Sequence, residues 1–146
     1  MDLAEAQNKI QTKMAEMQKE LFEVGRQLFE EGSRDIFVKY PEVADFSWTQ
    51  YTPYFNDGDE CVFGVNEYFT VNLRDGGILE DVYDSPYARE KKIERGESLD
   101  LSDHLGQDLS GLIGSIPPET MKSIFGDHVR VTITPEGIET EEYEHE

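Results

Sequence analysis

From residue 2 to residue 31 the apolar side chains fall into two interleaved rows. Leu3, Ile10, Met17 and Val24 are spaced seven apart, and Gln7, Met14, Leu21 and Leu28 form a second seven-residue series offset by four. Good helix formers fill the intervening positions, with one Gly and no Pro before residue 32, so the pattern predicts one long amphipathic helix over 2–31. Two such rows make the seam of a coiled coil or of a long helical hairpin. Phe22 and Phe29 widen the stripe in its second half, which suits a sheet better than a single partner helix. A helix of that length is a rod of about 45 Å at ~1.5 Å per residue, against a radius of gyration near 15 Å for a compact chain of this size. The rod is expected to overhang its own core and to self-associate through Ile10, Met14, Met17 and Leu21, which would otherwise leave an apolar stripe in water.

Beyond the rod the period changes. Gly32-Ser33 reads as a helix end, with a short helix over 34–40 stopped by Pro41. From Phe46 the alternation is that of a strand: Phe46, Trp48 and Gln50 face one way, Ser47, Thr49 and Tyr51 the other. Asn56-Asp57-Gly58-Asp59 is turn chemistry, and alternation resumes from Cys61 to Val71, which predicts a hairpin over 46–72 closed off by Gly76-Gly77. Residues 78–103 carry two charged runs and scattered apolar residues and read as a mobile insertion. Short helices follow over 104–125, carried by Leu101, Leu105, Leu109, Leu112 and Ile113 up to Ser115 and restarted at Pro118 after Pro117. A second hairpin spans 128–142, turning at Pro135-Glu136-Gly137, and 139–146 reads as an acidic tail that frays into solvent. The sum is a single α+β domain of 146 residues: a long N-terminal helix on an antiparallel sheet of two hairpins, with short helices between them.

Charge narrows the functions open to such a chain. Thirteen basic residues against 32 acidic ones give a formal charge of -19. That balance opposes direct nucleic-acid or anionic-membrane binding, favours solubility, and suits a basic protein as partner. The lone Cys61 cannot form an intrachain disulfide, no leader-like segment opens the chain, and no apolar run approaches the ~20 residues of a membrane span, so the expected location is the cytoplasm.

Catalytic chemistry finds little purchase. His104, His128 and His145 lie in no nucleophile–base arrangement. Asn56, Asp57, Asp59 and Glu60 gather oxygens around Gly58, but the spacing is not that of an EF-hand, and a turn held by Asx hydrogen bonds accounts for them. Gly76-Gly77 lacks the Lys-Ser and helix of a phosphate cradle, and Gly106, Gly111 and Gly114 punctuate a helix instead. No cofactor, metal or catalytic residue is expected. The aromatic cluster of Trp48, Tyr51, Tyr54 and Phe55 either marks an interface or fills the core beneath the hairpin. On the first reading Trp48, Tyr51, Tyr54, Asp57 and Asp59 are the partner-binding candidates.

The block from Phe46 to Phe63, FSWTQYTPYFNDGDECVF, resembles a segment of small uncharacterised proteins of bacteriophages and bacteria. The resemblance implies a shared hairpin and a phage source, hence the host cytoplasm, and supplies no catalytic residues. The expected function is that of a non-enzymatic acidic interaction protein, self-associating through its first helix and binding or inhibiting a basic host or viral protein, in one form by mimicking nucleic acid. The alternative is a small enzyme or ligand-sequestering protein with a pocket near the Trp48–Asp59 hairpin.

Overall fold

In the computed structural model, which describes residues 2–53, 58 and 61–144, the chain begins with helix α1, Leu3–Lys39. Asp2 caps it by accepting the Glu5 N–H at 2.9 Å, and Pro41 lies just past its end. Thirty-seven residues make a rod of about 55 Å. The expected break at Gly32-Ser33, with a separate helix over 34–40, does not occur. Gly32 serves close packing instead: a Cβ there would sit 2.4 Å from Leu112 Cδ1, so the missing side chain lets the next helices approach. Ser33 is buried in the same contact face rather than capping anything.

The sheet is antiparallel throughout, in the order β4-β3-β1-β5-β6. It is built from β1 (Val43–Tyr51), β2 (Gly64–Val65), β3 (Phe69–Leu73), β4 (Ile78–Val82), β5 (Val129–Thr134) and β6 (Gly137–Glu142), with β2 paired to the end of β1. The fold is therefore α+β, with a long N-terminal helix over an antiparallel sheet. β1 is central because both of its faces suit burial: Phe46, Trp48 and Gln50 turn towards the helices, and small Ser47 and Thr49 occupy the other side. The run from Cys61 to Val71 is broken at Asn66–Tyr68 into β2 and β3, where Asn66 donates its N–H to the Thr49 carbonyl.

Residues 78–103 are not a loose insertion. They form β4, helix α2 (Pro86–Glu94) and the entry to helix α3 (Leu101–Gly114). β4 pairs with β3 and buries Val82 completely, and Leu79 packs against the core. α2 buries nothing fully; Lys92 ties it to the α3 N-terminus, donating to Asp103 at 2.5 Å, while Asp100 and Asp103 close a capping box. The two charged runs thus lie on regular elements, and part of their charge is paired: Arg89 with Asp84, Lys91 with Glu94, and Lys92 with Asp100 and Asp103. Similarly, 139–142 do not fray: they are the greater part of β6, bonded along β5 from Val129↔Glu142 to Thr134↔Gly137. Glutamates on this exposed edge strand discourage another strand from adding to it.

Helix α4, Pro118–Phe125, starts at a proline and ends at Gly126, whose φ of 102° favours glycine. It is pinned to the sheet by one side chain. Gln50, fully buried, accepts the Trp48 indole N–H at 3.1 Å and donates to the carbonyls of Met121 (3.0 Å) and Gly126 (2.7 Å). Gln50→Leu keeps the volume but strands the Trp48 indole N–H in the core and removes the donor to the Met121 and Gly126 carbonyls. Urea unfolding is expected to show a loss of about 2–4 kcal/mol, more than any surface substitution; an unchanged midpoint would mean that α4 is held by packing alone.

Candidate functional site

α1 carries two apolar stripes, not one widened stripe. Phe22, Gly25, Phe29, Ser33 and Ile36 face the protein's own body. Phe29 lies at the centre of an aromatic core, its ring 5.5 Å from Trp48 and 5.2 Å from Phe125. The stripe made by the two heptad rows lies roughly 100° around the helix, at 3.6 residues per turn. It is uncovered along its whole length: Leu3, Ile10, Met14, Met17, Leu21, Val24 and Leu28 each expose between 50% and 75% of their surface. All four residues expected to self-associate are among them. The first fully buried residue of α1 is Gly25, so the first twenty or so residues project from the body.

Charge is distributed to match. Residues 2–21 hold four acidic side chains (Asp2, Glu5, Glu16, Glu20) and three basic ones (Lys9, Lys13, Lys19), a net of -1, which leaves -18 of the formal -19 on the rest of the chain. The projecting arm is almost neutral and the body is an anion.

The second candidate group fares differently. Trp48 is 1% exposed and makes ring contacts with Phe29, Phe46, Phe69 and Phe125, so it is a core residue and not a partner-binding one. Strand alternation places it there, on the same face as Phe46 and Gln50. Tyr51, one residue past that core row, is half-buried on the opposite face, its ring 5.8 Å from that of Tyr143. Arg130 covers the Tyr143 ring at 5.7 Å and reaches Glu141 at 3.6 Å, so this end of the outer sheet face carries a paired cation among glutamates. Tyr54, Asp57 and Asp59 lie outside the described residues, as do Phe55, Asn56, Glu60 and His145. Trp48 and Tyr51 therefore share no surface.

A cleft that the sequence did not suggest opens between β3, the β4–α2 junction and α3. It encloses about 680 Å³ and is lined by Glu67, Tyr68, Tyr83, Asp84, Gln107 and Asp108 among others. The Tyr68 and Tyr83 rings are 5.0 Å apart. Two of its carboxylates are already engaged: Asp84 pairs with Arg89, and Asp108 Oδ2 accepts from Lys39 Nζ at 2.7 Å and from the Tyr40 hydroxyl at 2.5 Å. Partial burial pushes the Asp108 carboxyl up, but the hydrogen bonds from Lys39 and Tyr40 outweigh it and hold the group below its ordinary value. Burial, followed by the hydrogen bond to Asp108, pushes the Tyr40 phenol up to about 12. Asp127 is a structural clasp of the same kind. Burial pushes its carboxyl up, but it accepts from the Thr52 N–H and hydroxyl at 2.8 and 2.7 Å and from the His128 N–H at 2.9 Å, and these bonds bring it below its ordinary value.

These shifts fix a pH dependence. Asp108 has a lowered folded value, so its contribution is complete above its unfolded value near 4 and is lost as pH falls through the folded one. Tyr40 has a raised folded value, so its contribution is complete below about 10 and is lost as pH rises from there towards 12. Tyr40→Phe is expected to cost about 1–2 kcal/mol at pH 7, with the gap to wild type narrowing above pH ~10. Urea melts at neutral and alkaline pH check it; a gap that widened at high pH would contradict the assignment.

Among the described residues no group of three His, Cys, Asp or Glu side chains could hold a metal ion, and no helix is long and apolar enough to cross a membrane. Cys61 is half-buried before β2 and carries no partner sulfur. The chain matches no protein-family model, no curated protein and no solved structure.

Proposed function

We infer that the chain is a non-enzymatic interaction protein which self-associates through the projecting half of α1 and presents an anionic body to a basic protein. The observation that carries this reading is the uncovered heptad seam: seven aliphatic side chains in register on a helix whose neighbouring face is already committed to the core. A single helix of about 20 residues in water is only marginally stable without a packing partner. Covering these side chains on two copies stabilises by on the order of 10 kcal/mol, a gain comparable with the cost of association.

The charge of -18 beyond residue 21 supports a basic partner, since it attracts cationic surfaces and repels nucleic acid and anionic lipid. Glu139 and Glu141 project from the outer sheet face beside Arg130, and Glu142 and Glu144 follow along the same edge. In its strongest form the body occupies phosphate subsites of a nucleic-acid-binding protein, and the resemblance of the 46–63 block to phage proteins would place that partner in a bacterial host. The test is affinity capture from bacterial lysate at low and high salt, followed by competition with duplex DNA. A basic protein retained only at low salt and displaced by DNA is the expected result, because the Debye length shrinks from about 10 Å at 0.1 M to about 3 Å at 1 M. Retention of acidic or neutral proteins with no dependence on salt would contradict it.

A further inference from the structure

We propose that the partner of the α1 seam is a second copy of the same chain lying antiparallel to it, with the two-fold axis passing between Met14 and Met17. This rests on the self-association reading above and adds the direction and register of the two helices.

The seam runs from Leu3 to Leu28, so its midpoint falls between residues 15 and 16. An antiparallel copy centred there sets Met14 against the partner's Met17, Ile10 against the partner's Leu21, and Leu3 against the partner's Leu28, leaving no row uncovered. The far half of this pairing needs Val24 and Leu28 to be open although they lie beside the body. They are, at 54% and 50% exposure.

Three further observations favour this direction. First, the residues flanking the seam on one side are Ala6, Lys13, Glu20 and Gln27. Antiparallel helices bring these flanks together, which faces Lys13 with the partner's Glu20 twice across the axis. A parallel pair would oppose Lys13 to the partner's Gln18 and Glu20 to the partner's Gly25, with no charge complement. Lys13 is held only by a loose exposed contact with Glu16 at 3.8 Å and is free to reach across.

Second, α4 crowds the other flank at Gly25, where a Cβ would already lie 3.0 Å from Thr120 Cγ2. In this register the partner passes that point with Ala4, and with Ala6 on the opposite flank, so its smallest side chains meet the narrowest place. Third, the two anionic bodies are kept apart. Phe29 and the partner's Phe29 would be 27 residues out of step, about 40 Å along the axis at ~1.5 Å per residue. That is several Debye lengths at ~8 Å. A parallel pair would place both bodies, each carrying -18, at the same height.

The test uses the full chain with Cys61→Ser and a spin label at Glu5→Cys, a position pointing away from the seam. The antiparallel register places the two labels 21 residues out of step, about 32 Å. A parallel pair places them within roughly 20 Å, given helix axes 8–10 Å apart. Alongside it, Lys13→Glu is expected to weaken association several-fold and Lys13→Glu with Glu20→Lys to restore it. A label separation of about 32 Å or more with charge-swap rescue supports the proposal. A short separation, or association indifferent to the swap, overturns the antiparallel arrangement while leaving self-association standing. A monomer at tens of micromolar overturns both.

Discussion

Replacing Ile10 and Met17 by Glu is expected to abolish self-association, raising the dissociation constant at least ~100-fold, about 3 kcal/mol. In an assembled seam each substitution sets a carboxylate among aliphatic side chains, a cost of several kcal/mol per buried charge. Two substitutions per chain put four such groups into a dimer. The single chain has no reason to suffer: Ile10 and Met17 are 59% and 53% exposed, precede the first buried residue of α1, and Glu is a good helix former. The thermal unfolding of the body should therefore be unchanged while sedimentation moves to the monomer. A variant that stayed associated would locate the interface elsewhere; one that unfolded would mean that the stripe packs inside its own chain.

The largest loss of stability from adding a single methyl group is expected at Gly106. It lies on α3 where that helix crosses the end of β4, and a Cβ there would sit 2.2 Å from the Tyr83 carbonyl oxygen and 2.7 Å from its carbon. These are backbone atoms between a paired strand and a capped helix, so the clash cannot be relieved by rotating a side chain. Gly106→Ala is expected to cost about 3 kcal/mol or more by driving α3 off the sheet and loosening Leu105 and Leu109, both fully buried. Gly111, on the same helix, is the control. Nothing lies within 4 Å of its added Cβ, so Gly111→Ala should stabilise by roughly 0.5–1 kcal/mol through helix propensity alone. Denaturant melts of the two variants should move in opposite directions, and a shared direction would contradict the packing described for α3.

Elements governed by local chemistry were legible in the sequence. The heptad rows announced α1, Pro117-Pro118 and Gly126 framed α4, and Pro135-Glu136-Gly137 turned β5 into β6. What was missed depends on long-range contact. Gly32 reads as a helix stop by propensity, yet it is where Leu112 enters. Residues 78–103 look polar because their apolar residues are few, yet one of them, Val82, is fully buried, and Lys92, Asp100 and Asp103 tie α2 to α3 through paired charges. The aromatic cluster was ambiguous because Trp48 and Tyr51 are three residues apart on a strand, hence on opposite faces. Neither the Asp108–Lys39–Tyr40 group nor the Tyr68–Tyr83 cleft has a local signal, since each joins segments distant in sequence. The seam was readable and its exposure was not: only the placement of Phe22, Phe29 and Ile36 on a different side of α1 shows that the core uses a second stripe.

Coverage of the heptad face of α1 by another polypeptide doubles the mass of the particle, which sedimentation equilibrium of the intact protein reads without labels or substitutions. At about 50 micromolar, a concentration at which a pair of micromolar affinity is largely formed, the expected mass is near twice 16.8 kDa. A mass of 16.8 kDa at that concentration, with residues 3–21 still helical by hydrogen exchange, would contradict it.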